Sequence, residues 1–352
     1  MPTSTECQSS LMSSDNLPGP AHDLVGVNTD HITGIVTKAK DELLLMATVG
    51  YPLWISSSSS NNSIHPETLN YGEYLRVFQR GGPAPYFRYE ASRHSATIHL
   101  NPTTIVHILM DVSQWLPVFC SMVTNAKTFE VLSRGKEESY KKQKQVMSAE
   151  FLVATPNVPT REVQFIRYSH QQLDGILIVV DVSVDELQSI PRPSVRSICR
   201  RRPSGCLIRD LQNGYSFVTC MENIDVRKKE NDLHAKFKHF VESGFAFGAQ
   251  RLMSTLQRQA ERFLYSMGIN TLPGDTVITA QGRRSLATMA NTMMVNFCND
   301  ICNSTHDHWS TSNKTIGRPM EVKTNKRRGD HGKPPGLNLT IGCTVLHLSH
   351  HT

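Results

Sequence analysis

The segment Arg161 to Ser169, REVQFIRYS, holds the residues best placed to do chemistry. Read as a strand, its side chains alternate between two faces. Arg161, Val163, Phe165, Arg167 and Ser169 then share one face, and Glu162, Gln164, Ile166 and Tyr168 the other. With Val163 and Phe165 turned inward, Arg167 turns inward with them. A guanidinium in an apolar interior needs a partner, because an unpaired buried charge is strongly disfavoured. Glu150, on the preceding strand, is the expected partner. Two uses fit such an arginine: a structural ion pair or an arginine at a wet strand end, or the one polar anchor of an apolar ligand cavity.

Other chemistry-bearing residues point to less. Cys298, Cys302, His306 and His308 fit none of the common structural zinc spacings. They are expected to be two core-facing thiols beside surface histidines, with no metal and no cofactor. There is no GxSxG and no helical HExxH. The run from Gly244 to Gly248, GFAFG, lacks a phosphate-loop lysine and does not join a strand to a helix. No pair of titratable residues stands out among the apolar strands, so catalysis is not expected. Two basic clusters remain. Arg196 to Arg202 is expected at a strand edge, where arginines discourage edge pairing. Lys323 to Arg328 reads as a loop that could contact phosphates or serve nuclear import.

The elements that must position Arg167 are legible from periodicity. Asn231 to Leu264 carries apolar residues at gaps of three and four, from Leu233 through Phe240, Phe245, Leu252 and Leu256 to Phe263. That pattern predicts one long helix with Gly244 and Gly248 on one face of its middle. Interior glycines mark a bend or a close packing partner. Ahead of it, strands are predicted from Phe87 to Leu100 and over six further runs between Lys127 and Asn223. Asp174-Gly175 and Asn213-Gly214 are hairpin turns, since these pairs accept positive φ. A short helix follows Asn101-Pro102, and another is expected within Glu67 to Phe78. A first helix covers Ile32 to Ala47. Successive hairpins and a final helix define an α+β domain built on an antiparallel sheet. Beyond Gly268, a helix is predicted from Arg284 to Asn303, with Leu286, Met289 and Met293 on one face. A polar stretch and a single strand, Leu337 to Val345, come after it.

The chain has 352 residues, 39% apolar and 19% charged, with a net charge of +6. This length suggests about two domains, and so modest a charge does not itself imply nucleic-acid binding. No run approaches the length of a transmembrane helix. Residues 1–20 lack the basic start and apolar core of a secretory signal. The eight cysteines are therefore expected to be reduced thiols in cytosol or nucleus.

Several motifs resemble the START domain of plant class IV homeodomain-leucine zipper transcription factors. They include DELLLMA (Asp41 to Ala47), PLW (Pro52 to Trp54), EASR (Glu90 to Arg93), LMD (Leu109 to Asp111), VPTREVQFIRY (Val158 to Tyr168) and VVDVS (Val179 to Ser183). RRPSGCLIRDLQNGYSFVT (Arg201 to Thr219), FGAQRLMSTLQRQAE (Phe247 to Glu261), ITAQGRRS (Ile278 to Ser285) and NFCNDIC (Asn296 to Cys302) continue the match in order. The resemblance implies a helix-grip fold, a curved sheet around a long C-terminal helix with a lipid or sterol tunnel between them. It implies a lead over residues 1–31, a START domain over 32–267 and an incomplete START-associated region over 268–352. Expected ligand contacts are Arg167, Phe165, Val163, Glu150, Ile178, Phe217 and Phe245, and the expected gate is Gly244, Gly248 and Pro191. The implied role is ligand-sensing regulation of transcription in the nucleus, with a lipid and other transcription factors as partners. A homeodomain's basic helix and a zipper's heptads are not found, so direct DNA contact by this chain is not expected. The alternative is an interaction or dimerisation module whose cavity is plugged by Phe165, Phe217, Phe245 and Phe247.

Overall fold

The computed structural model describes residues 29–55, 67–79, 86–134, 140, 142–155, 158–183, 199–227, 233, 235–268, 278–301, 307–312 and 322–327. Pro191 and its loop, Cys302, His306 and the strand expected at Leu337 lie outside these residues. One antiparallel sheet dominates. Its strands are β1 (Trp54–Ile55), β2 (Glu67–Leu69), β3 (Phe87–Ile98), β4 (Val123–Ser133), β5 (Lys144–Phe151), β6 (Arg161–Gln171), β7 (Leu177–Val182), β8 (Cys199–Arg201), β9 (Ser204–Gln212) and β10 (Tyr215–Arg227). They lie side by side as β1-β2-β3-β10-β9-β7-β6-β5-β4, with β8 also paired to β10. The Asp174-Gly175 and Asn213-Gly214 turns sit where the sequence puts them, with positive φ at Gly175, Asn213 and Gly214.

Both faces of the sheet are covered. On one side lie α3 (Pro102–Met110), α4 (Val112–Val118) and α6 (Ala249–Met267). Their Ile105, Leu109, Trp115, Met253 and Leu256 pack on Val163, Phe165, Val179, Ile208 and Val218. Burying side chains of this size contributes about 1.5–3 kcal/mol each. On the other side α1 (Thr29–Thr48) sets Ile32, Val36, Leu43 and Met46 against Val146, Ile166, Ile178, Val180 and Met221. The helix α2 (Tyr71–Phe78) adds Tyr74 there. The segment predicted as one short helix is thus β2 followed by α2, with the Asn70 side chain accepting from the Glu73 N–H at its start.

The predicted long helix is two helices. The first is α5 (Ala235–Glu242), and α6 starts again at Ala249. Gly244 sits at φ +80°, a left-handed turn that glycine adopts freely. Gly248 precedes α6 with no side-chain cap of its own; instead Ser92 Oγ on β3 accepts the Ala249 N–H at 2.9 Å. The start of α6 is therefore capped by the sheet it packs on.

Two arginines tie separate segments together. Arg93 on β3 grips Glu67 with two bonds, 2.6 and 2.9 Å, and donates to the carbonyls of Met46, Ala47 and Val49 at the end of α1. Arg251 on α6 donates to the carbonyls of Ser121, Leu152 and Ala246, and burial pushes its pKa down to about 10.

Beyond this body, α7 (Ala280–Ile301) leans on α6, and β11 (Asp307–Ser312) pairs with β12 (Val322–Arg327). The polar stretch with little pattern thus forms a two-stranded sheet. The thiols are not all reduced: Cys206 and Cys220, opposite each other on β9 and β10, form a disulfide with Cα atoms 4.2 Å apart.

Candidate functional site

At the centre of the grip, between sheet and α4, four charged residues meet among aromatic rings. β6 carries Arg167 inward beside Phe165, as its alternation requires. Arg167 is 3% exposed. Its Nε and Nη2 bind the two oxygens of Asp181 at 2.7 and 2.9 Å. Its Nη1 donates to the Leu109 carbonyl, and its guanidinium lies 4.1 Å from the Trp115 ring centre. Arg201 on β8 reaches both oxygens of Glu222 on β10, at 2.9 and 2.8 Å, and approaches Asp181 at 3.8 Å. Burial pushes the Glu222 carboxyl above the ordinary carboxylate range, against the pull of Arg201. Two guanidinium groups thus face two carboxyl groups, the arrangement by which buried charge offsets part of its desolvation cost.

The partner expected for Arg167 was wrong. Register places Gln145, not Glu150, opposite Arg167, while Asp181 faces it from β7. Glu150 lies opposite Glu162 and accepts from Asn125 and Thr160. The basic cluster at Arg201-Arg202 is also not an edge device. Arg201 is buried with Glu222, and Arg202 binds Asp225 at 2.9 and 3.0 Å.

The other predicted ligand contacts divide. Val163 and Phe165 face the grip and are fully buried. Ile178 is buried on the opposite face, under α1, because the inward residues of β7 are Val179 and Asp181. Phe217 points away from the grip and is 39% exposed, since Val218 and Cys220 are the inward neighbours on β10. It neither lines nor plugs the interior. Phe245, Gly244 and Gly248 gather elsewhere, at a cleft of about 340 Å³ between β2, β3 and the α5–α6 turn. Phe247 stacks on Arg161, 3.7 Å from its guanidinium carbon, while Arg161 binds Glu90 at 2.7 and 2.9 Å.

Sequence reasoning missed Arg201. Its Nε is buried and has no hydrogen-bond partner among the described residues. It borders a void of about 30 Å³, lined also by Trp115, Phe151, Arg167, Glu222 and Leu252. That is the share of volume of about one water in the liquid. The signal was present, as an arginine following Cys199 in an alternating run, but it was read as part of a surface charge cluster.

A large antiparallel sheet, with α6 packed on one face and a buried polar cluster beneath, defines the class: an α+β helix-grip fold. The START domain family matches residues 35–262, so the chain belongs to that family, in the form carried by plant homeobox-leucine zipper proteins. The C-terminal domain of the PDF2-like family matches residues 279–352. The chain is 37% identical over 312 residues to the homeobox-leucine zipper protein HDG1 of Arabidopsis thaliana, covering 87% of this chain and 37% of that one. It is 36% identical over 344 residues to ROC4 of Oryza sativa subsp. japonica, covering 92% and 42%. The chain thus spans less than half the length of these curated relatives. Among solved structures, human STARD10 aligns at 12% identity and a TM-score of 0.44, over 64% of this chain and 79% of that one. No described helix is long and apolar enough to cross a membrane.

Proposed function

We propose that this chain is a non-catalytic lipid-binding regulatory domain, serving a plant transcription factor of the homeobox-leucine zipper class in the nucleus. A lipid or sterol would seat its apolar body between α4, α6 and the sheet. The observation that carries this reading is the Arg201 Nε: a buried donor with no acceptor among the described residues, beside a small void lined by aromatic, aliphatic and charged side chains. An unmet buried donor costs roughly 1–3 kcal/mol, and a ligand hydroxyl or carbonyl would recover it. Arg201 therefore replaces Arg167 as the polar anchor, because each guanidinium nitrogen of Arg167 already donates a hydrogen bond. Loading requires α4 and α6 to draw back from the sheet, since the void holds about one water.

That small void equally favours a second reading, an interaction module whose grip is filled by Trp115, Phe151 and Leu252 around it and by Phe165 in the core beside it. Native mass spectrometry of the purified chain, with thermal shifts across sterols, fatty acids and phospholipids, separates the two. Lipid binding predicts a co-purified lipid and a raised Tm, with ~2.7 kcal/mol gained at a hundredfold excess over Kd. It also predicts weaker retention in Arg201→Met. A chain that stays lipid-free, with no shift anywhere in the panel, leaves the filled interaction module.

A further inference from the structure

The cleft between β2, β3 and the α5–α6 turn takes no part in the function proposed for the grip. Its volume, about 340 Å³, is that of a small-molecule site. Its walls are held in place. Arg93 binds Glu67 at 2.6 and 2.9 Å, and Ser92 Oγ accepts the Ala249 N–H at the start of α6. A Cβ added at Gly248 would lie 2.9 Å from Ser92 Oγ, so the turn sits tightly against β3. Walls fixed in advance spare a ligand the cost of ordering them.

The groups that border the cleft are aromatic rings and acceptors. Tyr71 and Tyr89 stand with ring centres 4.3 Å apart, and Phe245 on the α5–α6 turn is exposed. Three carboxylates border it. Glu67 is taken by Arg93, and Glu90 by Arg88 and Arg161. Glu242 is exposed, with no hydrogen bond or ion pair among the described residues. Gln250 Oε1 and Tyr89 Oη are buried and lack a hydrogen-bond partner there as well. Arg93 is the one cation among the described lining residues, and each of its guanidinium nitrogens already donates to Glu67 or to carbonyls at the end of α1. Arg202, 5.3 Å from the Tyr89 ring centre, is bound to Asp225. The cleft thus presents one open negative charge, unmet oxygens and π faces, and no open positive charge for an anion.

We propose that this cleft is a second ligand site, separate from the grip, for a small organic cation: a primary amine carried on an aromatic or short apolar body. Glu242 supplies the counter-charge. The Gln250 amide turns its carbonyl to accept an ammonium N–H. The rings of Tyr71, Tyr89 and Phe245 cover the apolar body and attract the cation through their π faces. A neutral ligand of the same shape keeps the ring contacts and loses the charge pairing. An anionic one is repelled by Glu242.

The test is calorimetric titration of the full chain with three probes of one shape and different charge: phenethylamine, 2-phenylethanol and phenylacetate. Phenethylamine should bind roughly tenfold or more tighter than either of the others, with affinity falling as salt is added. Glu242→Gln, a change at an exposed position, should weaken the amine roughly two- to fivefold and leave the alcohol unchanged. Hydrogen exchange with phenethylamine present should slow over residues 87–93 and 242–250. Equal binding of amine and alcohol, tighter binding of phenylacetate, no binding of any probe, or an amine affinity indifferent to Glu242→Gln would each overturn the site. Protection confined to α4 and β6 would put the amine in the grip and overturn it too. None of these outcomes bears on the lipid reading, which rests on Arg201.

Discussion

The arginines in the grip show how side-chain identity and register act together. Arg167→Met would strand Asp181 in an apolar interior, and breaking a buried pair in this way costs about 3–5 kcal/mol. Replacing Asp181 with leucine at the same time should restore much of that loss, as read by urea denaturation of the single and double variants. Glu222 makes a different prediction. Its carboxyl is raised in the folded chain from an ordinary value of about 4.5, so the native state keeps a proton that the unfolded chain has released. The stability it contributes is complete below that ordinary value and is lost as pH climbs through the raised one. Wild-type protein should therefore lose stability relative to Glu222→Gln between acid and neutral pH. Parallel denaturation curves for the two proteins at pH 4.5 and pH 8 would contradict the raised carboxyl. The facing of Arg167 was legible in the sequence, because alternation fixes which side a residue takes. Its partner was not, because alternation says nothing about which residue of a neighbouring strand lies opposite. Glu150 and Asp181 are equally acidic on paper, and only the β6–β7 register chooses between them.

Helices and strands were recognisable wherever one period held across the whole element. Strands β3 to β7 and β10, with their Asp-Gly and Asn-Gly turns, follow from this, whereas the one strand expected over Ser197 to Asp210 is divided into β8 and β9. The break between α5 and α6 did not, because a stripe of apolar residues continues through Gly244 and Gly248 with helical spacing. What ends α5 is the left-handed turn at Gly244, and what starts α6 is a serine far away in sequence, Ser92. A methyl group added at Gly248 would sit 2.3 Å from the Gly244 carbonyl oxygen and 2.9 Å from Ser92 Oγ. Gly248→Ala should thus cost about 1–3 kcal/mol through overpacking. Gly34 is the contrast: it lies inside α1, exposed, with nothing within 4 Å of an added Cβ. Gly34→Ala should raise stability by about 0.5–1 kcal/mol. Equal Tm values for these two variants would show that the break is soft and that α1 is not a continuous helix.

The whole molecule is a sheet buried on both faces, which the alternating patterns concealed. In β6, Ile166 and Tyr168 are buried as well as Phe165 and Arg167, because α1 roofs the far side. The sequence showed an amphipathic first helix but gave no sign of which surface it covers. That arrangement fixes an order of events during synthesis. α1 precedes the strands in the chain and can cover its face as they arrive. The opposite face has α3 and α4 early but is completed only by α6, whose Met253, Leu256 and Ala260 close the core beside Phe165 and Val218. The Arg251 that draws Ser121, Leu152 and Ala246 together comes equally late. A nascent chain that has reached only Arg227 therefore carries a nearly finished sheet with one apolar surface only partly covered, by α3 and α4. Surfaces of this kind attract chaperones or each other. The arrival of α6 closes that window, so the helix that holds the site is also the chain's safeguard against aggregation while it is being made.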